Sequence, residues 1–165
     1  MAYLHGSPIP ELAQTIGKAL ELTIAGKPYA DVIRHLGTMP EHHREYLMSG
    51  EREGTLEAAS PLFDEIHFTL DAPGTSPEGC VVTLEFICNP GTFSFHDLRE
   101  VFGEWRRSPP EPEEASFALA WFTRHDVRSG APFSLYAEFE DYSAAIDADR
   151  TPARVYFQPT DGRWD

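Results

Sequence analysis

The spacing of apolar residues changes once along this chain, near residue 60, and that change limits the folds open to it. Before it, apolar positions recur every three or four residues; after it, every two. Leu12, Ile16, Ala19, Leu20 and Thr23 line one face of a helix, with Pro10 in its first turn and Gly26 as its stop. A second helix begins at Pro28, with Tyr29, Val32, Ile33 and Leu36 on one side and Gly37 beyond its end. A third runs from Pro40 to Met48, anchored by Tyr46 and Leu47, and GEREG at 50–54 is a polar break.

From Pro61 the pattern is that of strands. Ile66, Phe68 and Leu70 alternate with His67, Thr69 and Asp71, the signature of a half-buried strand. The turn-rich stretch 72–79 closes a hairpin to Val81–Cys88, which is apolar on both faces and reads as central. Ser94 caps a helix bearing Leu98, Val101 and Phe102 that ends at Gly103. SPPEPEE at 108–114 reads as an exposed acidic loop. Three strands follow, at 117–123, 132–139 and 153–158, with one helical turn expected over 142–148. The fold class expected is therefore α+β: a helical N-terminal third packed on a mainly antiparallel sheet of about five strands, in the order β-β-α-β-β-β. Residues 1–60 and 61–165 are read as the helical and sheet-forming segments of a single domain. A chain of 165 residues has the length for one such core.

Charge narrows the partners. Twenty-seven Asp and Glu against thirteen Lys and Arg leave a formal net charge of −14. Residues 1–60 hold eight acids and five bases, a net of −3, so the remaining −11 belongs to the sheet-forming part. Such a field repels phosphate backbones and anionic headgroups, which argues against nucleic acid and membrane surfaces and for a basic protein partner. No segment approaches the roughly 20 apolar residues of a membrane-spanning helix. Cys80 and Cys88, in the single run GCVVTLEFIC, would lie about 26 Å apart in a strand, whereas bridged Cα atoms lie within about 7 Å. Read as two free thiols on one apolar face, they suit a reducing, cytoplasmic setting.

Motifs that carry chemistry are missing. There is no GxSxG elbow, no glycine-rich phosphate loop and no HExxH, so neither cofactor nor metal is expected. Glu41-His42-His43-Arg44-Glu45 reads as a solvated helix face, although His42 and Glu45 stand at i, i+3. Asp147-Ala148-Asp149 lacks the glycine and terminal glutamate of a calcium loop. The aromatic residues are more telling: seventeen of the twenty Phe, Tyr and Trp follow residue 60. Most belong to the core, but the alternation assigns Phe122, Tyr136 and Tyr156 to the opposite sheet face, beside His67, Glu85, Glu138 and Arg154. The candidate binding residues are thus His67, Phe122, Tyr136, Glu138, Arg154 and Tyr156, a mixed aromatic and charged surface of the kind that binds proteins. The function expected is a non-enzymatic acidic protein-binding module, of the inhibitor, immunity-like or adaptor type. Two other readings compete with it: a small-molecule or sensory domain with a pocket between sheet and helices, and an enzyme assembled from distant residues such as His67 and His96.

Overall fold

The structure, a computed structural model, describes residues 6–108, 118–125, 132–140 and 146–159. The first helix is built from Ile9–Leu12 (α1), a π-helical segment Ala13–Gly17 and Lys18–Ile24 (α2) without a break. It is followed by Tyr29–Leu36 (α3) and Glu41–Met48 (α4), and later by Phe95–Phe102 (α5). Each N-terminal helix buries the face its sequence marks: Leu12, Ile16, Ala19 and Leu20, then Val32 and Leu36. On α4 only Leu47 is buried; the expected second anchor, Tyr46, is 57% exposed. The α5 start carries a full capping box, in which Ser94 Oγ accepts from the Asp97 amide and the Asp97 carboxylate accepts from the Ser94 amide.

Among the described residues the sheet has eight strands rather than about five. They are Gly37–Thr38 (β1), Glu53–Ala58 (β2), Phe63–Leu70 (β3), Val81–Cys88 (β4), Arg106–Ser108 (β5), Ala118–His125 (β6), Pro132–Phe139 (β7) and Arg154–Pro159 (β8). Their spatial order is β1-β2-β3-β4-β8-β7-β6-β5, and every neighbouring pair is antiparallel. Two of the three unexpected strands, β1 and β2, fall inside the segment read as helical. β2 buries one large side chain, Leu56, and its other buried position is Gly54. A Cβ at Gly54 would meet the Phe68 ring at 2.6 Å. The ring of the facing strand thus fills the place of the missing side chain, and the alternation cannot be read from β2 alone. The third unexpected strand, β5, overlaps the start of the proline-rich stretch; residues 109–114 of that stretch and 142–145 of the expected turn lie outside the described residues, and 146–148 are not helical.

After β4 the chain crosses the sheet through α5 to the far edge and returns as the meander β5-β6-β7-β8. This places α5 over the second half of the sheet. Phe95 packs edge-on against Trp105 at 4.9 Å and Phe139 at 5.6 Å, and lies 5.8 Å from Phe122. The buried faces of the helices and the inward residues of the sheet, among them Ile66, Phe68, Leu84, Phe86, Val155 and Phe157, form one continuous core. No helix among the described residues is long and apolar enough to cross a membrane.

Candidate functional site

The face of the sheet away from this core carries the polar residues. Cross-strand register sets Thr55 opposite His67, His67 opposite Glu85, Glu85 opposite Tyr156, Tyr156 opposite Tyr136 and Tyr136 opposite Trp121. Directly opposed residues project to the same side, so this row crosses six strands. One position along, Arg154 stands opposite Glu138.

These residues form a charged chain. Arg154 donates through Nη1 to Glu85 and through Nε to Glu138, tying β8 to both its neighbours. The hydrogen bond to Glu85, outweighing partial burial, holds the Arg154 guanidinium above its ordinary pKa, with Glu138 adding to the effect. Glu85 also lies 3.9 Å from His67 Nδ1, while His67 Nε2 is 3.1 Å from Glu65. Five ionisable side chains therefore run from β3 to β7 with three carboxylates among them.

Five of the six residues expected on this face are there: His67, Tyr136, Glu138, Arg154 and Tyr156. Phe122 is not. It pairs with Leu135 and packs against Phe95 and Phe102 on the core side. Trp121 takes the outward place instead, because a strand apolar on both faces gives no alternation from which to choose. The two tyrosines also differ. Their rings stack at 4.9 Å, but Tyr136 is 3% exposed while Tyr156 is half-buried.

The face carries a cleft of about 440 Å³ where α4 overhangs β2, β3 and β4. Its floor includes Thr55, His67 and Glu85, with the Thr69 and Thr83 hydroxyls bonded at 2.6 Å. His43 and Tyr46 form its wall, and Glu51 and Glu53 its rim. Among the described residues none that lines it is Lys or Arg. A second depression of about 270 Å³, lined by Glu138, Arg154 and Tyr156, adjoins it across Thr83 and Glu85. Sequence reasoning missed His43, Tyr46, Glu51 and Glu53. The available signal was the i, i+3 spacing of His43 and Tyr46, which puts both on one side of α4.

Position of α4 depends on the β3–β4 loop. Gly74 donates its amide to Glu51 O at 2.9 Å and accepts from the Tyr29 hydroxyl at 2.8 Å. Its Cα faces Leu47 so closely that a Cβ would lie 2.7 Å from Leu47 O.

Other candidates are placed apart. His96 lies on α5, over the core face, and its Nε2 is 3.6 Å from Glu100; the sheet separates it from His67, so the two do not share a site. The Asp149 amide donates to Asp147 Oδ1 at 2.9 Å, a local turn. Among the described residues no group of three or more His, Cys, Asp or Glu is arranged to hold a metal. The cysteines are both free but do not share a face. Register shifts between Thr69 and Leu70, so that Val81 and Leu84 are both buried. This bulge reverses the alternation, and Cys80 sits before the strand, half-buried, with Sγ donating to Gly26 O at 3.4 Å. Burial raises the Cys88 thiol far above its ordinary pKa; Cys80 is raised by desolvation and by Asp71.

No protein-family model, curated protein or solved structure matches this chain.

Proposed function

We propose that the chain is a non-enzymatic acidic protein-binding module, of the inhibitor, immunity-like or adaptor type, whose open sheet face receives a basic partner. The observation that supports this is the cleft under α4: Glu51, Glu53 and Glu85 surround one recess with no lysine or arginine among the described residues that line it. A recess of this charge in a chain of net −14 suits a lysine or arginine side chain of the partner. Tyr156 and the Arg154 network lie beside it as the flanking contact, whereas Tyr136 serves the fold.

The test is capture of partners from native lysate at low and high salt, by the wild-type chain and by the Glu51→Gln/Glu53→Gln double variant. Both carboxylates are exposed, so the fold should survive. Basic proteins released by salt and bound about 5–30-fold more weakly by the variant support the reading, a loss of about 1–2 kcal/mol. The same proteins held equally by the variant, or held regardless of salt, sink it.

A small cationic molecule is a second reading, favoured by the cleft's volume, which lies within the range of ligand sites. A thermal-shift screen of small amines tests it; no stabilisation by any of them removes it. The layer between sheet and helices, where the sequence suggests a pocket, holds side chains such as Leu12, Ile16 and Phe157 that are 0–1% exposed.

A further inference from the structure

The other side of α4 has the opposite character. Between α3 and α4 runs a groove of about 270 Å³ with Tyr29, Ile33, Met39, Leu47 and Met48 as its apolar lining. Met48 is 70% exposed, and among the described residues no carboxylate lines the groove. Arg34 and Arg44 stand along it. Among the described residues Arg34 pairs with Asp31 alone, at 3.5 Å and well exposed, a contact of little energetic worth. Arg44 takes part in none of the ion pairs among the described residues. In a chain of net −14, an apolar recess framed by two arginines is a local reversal of sign.

We propose that this groove docks a short amphipathic acidic helix of a partner protein. Charge complementarity selects the sign: Asp or Glu on the segment meets Arg34 and Arg44, and its apolar side chains enter between the helices. The walls select the conformation. Both are helices whose backbone groups bond within themselves, so no strand edge is on offer and recognition must run through side chains. Each wall has eight residues, about 12 Å of helix, which matches two turns of a segment with apolar residues at i and i+4. Two methionines give the floor the adaptability such grooves use. The groove is independent of the acidic cleft, because His43 and Tyr46 face the cleft whereas Arg44, Leu47 and Met48 face the groove.

The experiment is a selection of displayed random peptides on the immobilised full chain, followed by titration of the enriched peptide by fluorescence anisotropy. The expected consensus has two apolar residues three or four apart with Asp or Glu between them. Binding should fall at least about tenfold in Arg34→Glu/Arg44→Glu and in Met48→Lys, persist in Met48→Leu, and be unchanged in Glu51→Gln/Glu53→Gln. All three groove positions are surface-accessible, so unchanged melting temperatures should accompany these losses. No enrichment, an enriched basic consensus, or equal affinity for the arginine variants would overturn the proposal. So would self-association of the chain that Met48→Lys abolishes, because the occupant would then be a second copy.

Discussion

Replacing Gly74 by alanine tests how α4 is held, and with it the shape of both recesses. The added Cβ would stand 2.7 Å from Leu47 O, 2.8 Å from its Cβ and 2.9 Å from its Cα. Two of these three are backbone atoms of α4, so a side-chain rotation cannot relieve the contact and the helix or the loop must move. Overpacking of this kind costs about 1–3 kcal/mol. Against it stands the lower unfolded-state entropy of alanine, about 0.4–1 kcal/mol. The net expectation is a loss of about 1–2 kcal/mol, or roughly 2–8 °C in melting temperature for a chain of this size. Gly17→Ala is the matched control. That glycine lies in the first helix with nothing within 4 Å of the added methyl, so the helix propensity of alanine should raise stability by about 0.5–1 kcal/mol. Urea titrations of both variants, with hydrogen exchange on α4, provide the comparison. If Gly74→Ala matches or exceeds the wild type while α4 amides keep their protection, the packing argument is wrong.

Two other expectations concern the core and the thiols. Phe95→Ala removes the ring that three other aromatics surround and should cost about 3–5 kcal/mol, read as a drop of roughly 6–20 °C in a thermal melt; a drop below 3 °C would mean that α5 does not lie over the second half of the sheet. A thiol reagent at pH 8 should modify Cys80 slowly in the native protein and Cys88 only on unfolding; equal rates would contradict their placement. The same raised Cys88 thiol makes its contribution to stability full below the unfolded thiol pKa of about 8.5 and lost as pH rises above it, so Cys88→Ala should flatten that alkaline decline in urea midpoints.

The sequence was legible wherever a single face had to be buried. The helix at 29–36, the capped helix after Ser94 and the strands at 63–70, 132–139 and 154–159 carry one-sided patterns long enough to read, whereas 81–88 is legible as a central strand from its apolar composition on both faces. Legibility failed where a tertiary partner substitutes for local pattern. β2 hides its face because Phe68 fills the space over Gly54, and β1 is two residues long. Phe122 is read onto the outer face in place of Trp121 because every residue from Ala118 to Phe122 is apolar, and the bulge at Val82 displaces Cys80 from the face it was expected to share. The acidic cleft was half visible: its floor follows from alternation on β3 and β4, but its wall comes from α4, whose placement depends on the loop at Gly74.

The pairing of β4 with β8 has a consequence for how the chain reaches its native state. Strands β1 to β4 can zip up in order as a local meander, and β5 to β8 as another, and among the described residues the two halves of the sheet are joined where 84–87 pairs with 154–157. Some seventy residues separate these partners, so the seam is a late, high-contact-order step. Until it closes, β4 presents an unpaired edge with the sequence VVTLEFIC, rich in β-branched and aromatic residues and bearing one charge. During synthesis that edge waits for the last strand to emerge, and it is the place where nascent chains of this protein would associate wrongly.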